Sequence, residues 1–211
     1  NLDPVGEVDY EGRLKHPFTA HPKIDPRTGE LVTYGYNVTS KPYCSVSLIT
    51  KAGELIHTTD VDIPKPVMMH DCAITSKHTV IMDLPCVFDF GRMAEGKSML
   101  YFEEENGSRF GVLARGAEGD EVRWFDVDSC YCYHTVNAFE DGDEIVVEGC
   151  RSERNSIGDE VKPQAGDRSD LPMLHQWRLN IKTGEVQEKS LDKKWGCEFA
   201  RINEDYMGIR N

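Results

Sequence analysis

The sequence lacks a long apolar run: no stretch of its 211 residues approaches the ~18 needed to cross a bilayer as a helix. Its opening, NLDPVGEVDYEGRLK, has neither the apolar core of a signal peptide nor the arginine and serine bias of a transit peptide. Excess positive charge is missing too. Against 24 lysines and arginines stand 37 aspartates and glutamates, leaving a formal charge of -13 and a pI of about 5.0. That balance argues against a phosphate-binding surface, so nucleic acid is not an expected partner. The acid falls in short clusters, FEEENG and FEDGDE, that read as solvated turns. An initiator methionine is also absent, and both ends lie inside patterned sequence. The chain is therefore expected to be an internal piece of a larger protein.

Paired-cysteine motifs are missing although cysteine is not. Cys44, Cys72, Cys86, Cys130, Cys132, Cys150 and Cys197 are odd in number, and no two have the spacing of a zinc ribbon or a CxxC redox pair. Cys130 and Cys132, two apart, would be neighbours on one strand face rather than bonded partners. Reduced thiols in a reducing compartment are the expectation. Two glycosylation sequons, NVT at Asn37 and NGS at Asn106, weigh weakly against it, because such short patterns arise by chance. Helical signal is also scarce. GRMAEGKSMLYF could form a turn or two, limited by Gly91 and Gly96, and the polar segment from Arg151 to Pro172 reads as one long surface loop.

What the chain does contain is strand after strand. LVTYGYNV, CSVSLIT, HTVIMDLP, FGVLARG, VRWFDV, EIVVEGC and HQWRLNI are short and rich in β-branched or aromatic residues. Tight turns join several of them. In DPRTGEL, TKAGEL and NIKTGEV, Gly29, Gly53 or Gly184 precedes a glutamate that opens the next strand. An all-β sandwich, barrel or propeller follows. Three histidines lie in stretches that set them apart: His21 in FTAHPKIDPRTGE, His70 in PVMMHDCAI and His134 in SCYCYHTVNAF. They are separated by 49 and then 64 residues. A propeller blade takes about 40–50 residues, so one histidine per blade is compatible with that spacing, as is chance.

His16, His57, His78 and His175 sit in ordinary polar or strand contexts and carry no special expectation. A single buried histidine is most simply a hydrogen-bonded core residue. Three together at strand ends, in so acidic a chain, point to a metal. Asp25 and Asp71 lie nearby, each placed to cap a turn. An all-imidazole set leaves the ion its full charge and open positions; iron(II) and copper suit O₂ chemistry and zinc suits hydrolysis. Glu198, in WGCEFARIN, reads as a lone acid in an apolar strand, whose partner is either an imidazole N–H or Arg201. The PVMM residues before His70, with Tyr131, Tyr133 and Phe139 around His134, read most simply as core.

Taken in order, FTAHPKIDPRTGE, MMHDCAIT, IMDLP, RFGVLAR, RWFDVDSCYCYHTVNAFED and CEFARIN resemble the motifs of the carotenoid cleavage oxygenases, in particular the plant members. The resemblance covers nearly the whole chain. It implies that residues 1–211 are part of a seven-bladed β-propeller, whose N- and C-terminal parts lie outside this sequence. It also implies an axial iron(II) held by four histidines, three of which match His21, His70 and His134. The fourth has no match before Asn211, and two further glutamates would lie before Asn1 and after Asn211. Glu198 falls on a family glutamate that hydrogen-bonds a ligating histidine, His134 being the expected one. Ala200 departs from the family's EFPRIN, which puts the local backbone in question. The implied reaction is cleavage of a conjugated double bond of a carotenoid or apocarotenoid by O₂, giving two carbonyl products. Alternatives are a stilbene-cleaving relative and a catalytically silent propeller fragment that only binds a ligand or partner. Relatives occur in cytosol and in plastids, so the compartment stays open, and the full protein could touch a membrane peripherally.

Overall fold

Glycine turns and β-branched runs, read in order, generate the architecture. The structure is a computed structural model that describes residues 3–158 and 166–210. The first sheet contains β1 (Lys23–Ile24), β2 (Leu31–Tyr36), β3 (Cys44–Ile49) and β4 (Leu55–Val61), paired in that order. The second begins with β5 (Ala73–Ile74) and β6 (His78–Asp83). A two-stranded hairpin of β7 (Cys86–Phe88) and β8 (Leu100–Phe102) then intervenes before β9 (Ser108–Ala114) and β10 (Arg123–Val127) complete that sheet. The third contains β11 (Tyr131–Asp141), β12 (Glu144–Ser152), β13 (Met173–Asn180) and β14 (Val186–Ser190). Neighbouring strands are antiparallel throughout these three sheets. The chain is all-β, and its three four-stranded sheets are the blades of a partial propeller. Gly29, Gly53 and Gly184 have φ of 72°, 83° and 85°, the left-handed backbone that the predicted turns demand.

The middle sheet feeds two cores. Along β6, Val80 and Met82 point into one apolar cluster with Phe110, Tyr131, Ile145 and Trp177, while Ile81 points into the other with Val46, Ile63 and Met69. Successive side chains of a strand face opposite ways, so a strand covered on both sides reads as an unbroken apolar run. That is why VIM in β6 shows no alternation.

Several elements differ from the sequence reading. β4 and β14 lie beyond the predicted strands. β4 buries only alternate residues, and no residue of β14 is fully buried, so their polar faces mask them. GRMAEGKSMLYF divides into one 3-10 turn, Phe90–Glu95, without a buried side chain, and the strand β8. The loop expected from Arg151 starts later, because β12 runs to Ser152; residues 159–165 of it lie outside the described residues. Within it Asn155 is buried, and its Nδ2 donates to the Tyr133 hydroxyl at 2.9 Å.

The strands β1, β5 and β11 each open a sheet and lie at its edge, and β5 lies against β11. His21 precedes β1 by two positions, His70 precedes β5 by three, and His134 lies near the start of β11. The longer second interval between histidines contains the β7–β8 hairpin, an excursion that returns to the same sheet.

Candidate metal centre

Each histidine is delivered by a segment with its own local anchors. The His21 backbone N–H donates to Thr19 Oγ1 at 3.0 Å, and Pro22 restricts the chain that follows. The segment before His70 is held to β7 only by the Val67–Val87 bridge, which leaves the Met68 and Met69 carbonyls to be satisfied from elsewhere. Tyr34, from the first sheet, donates to Met69 O at 2.8 Å, and Tyr131, from the third, donates to Met68 O at 3.1 Å. His70 is thus suspended between two buried phenols. Burial drives both phenols far above the ordinary tyrosine range, so they remain donors. His134 lies where the β11–β12 register shifts, between Cys132 and Thr135 and again between Thr135 and Asn137. A bulge of this kind re-aims a side chain that would otherwise follow the pleat. Opposite it, Gly149 leaves room: a Cβ there would sit 2.8 Å from Cys132 Sγ.

The three imidazoles converge. Their ring centroids lie 4.8 to 4.9 Å apart, and three potential ligand nitrogens are within 4.8 Å of one another. His21 Nε2 and His70 Nε2 are 3.1 Å apart. Two nitrogens bound at right angles to one ion, at about 2.1 Å each, would be separated by about 3.0 Å. His134 Nδ1 is 2.6 Å from Glu198 Oε2. A carboxylate only accepts, so the proton is on Nδ1, and the Nε2 lone pair is left for the shared centre. Burial, with contributions from His134, Lys23 and Arg201, lowers the pKa of His21 against the opposing pull of Asp71. Burial first, then His134 and His21, lowers that of His70. Both therefore favour the neutral form that a metal requires. Three imidazole nitrogen donors, one backed by a carboxylate, fit a divalent first-row ion.

Around this cluster the sequence expectations sort themselves. Glu198 bonds His134, whereas Arg201 pairs with Glu204 instead. Glu198 does not lie in an apolar strand: it is in irregular chain with its side chain 34% exposed, so burial cost is not what selects its partner. Phe199 packs edge-on against His134, centroids 4.6 Å apart, with φ of 55°. Positive φ is an outlier for a bulky residue. A proline at the next position would disfavour it; Ala200 tolerates it. Asp25 caps its turn as expected, accepting from Arg27 N at 3.0 Å. Asp71 does not. Its carboxylate reaches Lys23 Nζ at 2.7 Å, and accepts from Thr135 N at 2.9 Å and Thr135 Oγ1 at 2.8 Å. Val67, Met69, Tyr131 and Phe139 are core residues, and Tyr133 lies edge-on to His70 at 5.5 Å.

Of the four remaining histidines, His16 bonds Pro17 O and Ser47, His57 bonds Ala117 O and His78 bonds Glu140, while His175 Nε2 lies 3.4 Å from Glu188 Oε2 without hydrogen-bond geometry. Beside the cluster opens a cleft of about 380 Å³, whose lining includes His21, His134, Phe199, Arg201, Ile202 and Met207.

Residues 1–211 match the family described as retinal pigment epithelial membrane protein. Over 213 residues the chain is 41% identical to carotenoid 9,10(9',10')-cleavage dioxygenase 1 of Pisum sativum, covering 99% of this chain and 39% of that protein. Among solved structures, the lignostilbene dioxygenase of Pseudomonas brassicacearum superposes with a TM-score of 0.87 at 27% identity, covering all of this chain and 45% of the other. Cobalt-substituted apocarotenoid oxygenase of Synechocystis shares the fold, with a TM-score of 0.81 at 20% identity, over the whole of this chain and 47% of that one. The chain thus spans less than half the length of each. With the family matched end to end and the histidines gathered from three successive sheets, the chain belongs to the retinal pigment epithelial membrane protein family, that of the carotenoid cleavage oxygenases.

Proposed function

We propose that this chain is the part of a longer iron(II)-dependent dioxygenase that carries three of its metal ligands, His21, His70 and His134. The reaction adds both atoms of O₂ across one conjugated C=C bond of a carotenoid or apocarotenoid. That bond breaks and two carbonyl products form. The observation that carries the proposal is the convergence of three imidazoles delivered at the opening strands of three sheets, one braced by a carboxylate. Bound iron(II) would supply the activation of O₂ that a spin-forbidden reaction with a closed-shell polyene requires. The protein's own residues do the rest. His21 and His70 are held neutral by burial, so they donate lone pairs at neutral pH. Glu198 keeps the His134 proton on Nδ1 and offsets charge at the centre. Phe199, Ile202 and Met207 give the adjoining cleft an apolar side suited to a polyene.

The likeness to a lignostilbene dioxygenase favours a second reading, cleavage of a styryl-type double bond. A full-length protein containing this chain, loaded with iron(II), separates the two when assayed against carotenoids, apocarotenoids and stilbenes. Paired aldehyde or ketone products from the polyenes are expected, and His70→Ala should abolish them together with iron binding. Turnover of stilbenes alone would favour the second reading. Retained cleavage by His70→Ala would overturn the metal assignment.

A further inference from the structure

The Asp71 carboxylate contacts more chain than a turn cap would. It is 2% exposed, and each of its oxygens has two partners. Oδ1 lies 2.7 Å from Lys23 Nζ and accepts from Cys72 N at 2.8 Å. Oδ2 accepts from Thr135 N at 2.9 Å and from Thr135 Oγ1 at 2.8 Å. The identity of these partners matters more than their number. Lys23 is two residues after His21, Asp71 directly follows His70, and Thr135 directly follows His134. One buried carboxylate therefore holds the three chain segments that deliver the three imidazoles, and these segments belong to three different sheets.

We propose that Asp71 is a positioning residue that gathers the three histidines into a metal-ready cluster before any metal arrives. The inference rests on the metal reading of the site but addresses a different property, where the rings sit in the metal-free protein. Without an ion the three rings have only ring contacts and one N–H···N contact, His21 Nε2 to His70 Nε2 at 3.1 Å, and that contact does not fix His134. Something else must hold them, and a carboxylate with charged and neutral donors on both oxygens gives direction as well as strength. The arrangement also divides the work. Lys23 is the tether of the His21 segment, and the Thr135 N–H and hydroxyl together tether the His134 segment.

The division makes the proposal testable in a full-length protein that contains this chain. Asp71→Asn keeps an acceptor for Thr135 but turns an amide donor toward both Lys23 Nζ and the Cys72 N–H. It should release His21 first. Cobalt(II), titrated into that metal-free protein and read by its visible d–d absorption, should bind Asp71→Asn about 10–100-fold more weakly, with a band altered by loss of one nitrogen. Lys23→Met should reproduce the altered band, and Lys23→Arg should restore the original one. A merely structural role would lower stability without this pattern of band loss and rescue. In the metal-free proteins, crystal structures should show the His21–His70 separation growing beyond 3.1 Å in Asp71→Asn and Lys23→Met. Should Asp71→Asn fail to fold, the Lys23 pair carries both measurements. Unchanged cobalt affinity and band in the folded variants would overturn the proposal. If the wild-type full-length protein binds no cobalt, the metal reading fails, and the metal-free separation alone decides: growth supports positioning by Asp71, and an unmoved His21 refutes it.

Discussion

Glu198 makes a short contact with His134, and that contact sets which ring nitrogen faces the centre. Glutamine in its place can still accept from Nδ1–H but carries no charge to raise the basicity of the ring. Glu198→Gln should therefore weaken iron(II) or cobalt(II) binding by about 10–100-fold, measured by competition with a chelator of known affinity. Unchanged affinity would mean that this contact contributes nothing to the metal. At this scale the sequence is informative where chemistry is local. His21, His70 and His134 stand out because apolar or aromatic neighbours are unusual company for an imidazole. The four others lack that setting, and His16, His57 and His78 find ordinary hydrogen-bond partners. Asp71 was illegible for the opposite reason. Its partners Lys23 and Thr135 are remote in the chain, and an acid next to a histidine looks like any other turn residue until the sheets are packed.

Among the elements, β11 carries the most specific demand. Its bulge aims His134, and the strand opposite must leave space for the extra backbone. Gly149 provides it: a methyl group there would press on Cys132 Sγ at 2.8 Å and approach His134 O at 3.4 Å. Gly149→Ala should destabilise the protein by about 1–3 kcal/mol, as overpacking does, and also weaken metal binding by moving His134. Equilibrium denaturation and a metal titration on the same variant check both. A loss of stability with metal affinity intact would show that the bulge can move without carrying the ring along. The bulge could not be read from SCYCYHTVNAF, because a register shift is a property of two strands and only one is visible in a motif. Strands with apolar runs, such as β3 and β6, were plain. The outer strands β4 and β14 were not, since exposure on one side removes the apolar signal.

For the molecule as a whole, length is the governing fact. The chain covers 39% of the pea dioxygenase, and three sheets offer three imidazoles. A propeller gains its rigidity by closing its last sheet on its first, and sheet edges left unpaired invite association. The 211-residue chain alone is expected to bind iron(II) weakly and to cleave no apocarotenoid, as judged by iron content after dialysis and by product analysis. Stoichiometric iron with turnover would refute that expectation and make three histidines sufficient. The β7–β8 hairpin carries a consequence for recognising such centres elsewhere. Because each histidine lies at the opening strand of its sheet, extra chain can be inserted later in the sheet without disturbing the metal geometry. Distance along the sequence is then free to drift while distance in space is conserved. A pattern with fixed gaps would overlook distant kin, whereas counting opening strands would find them.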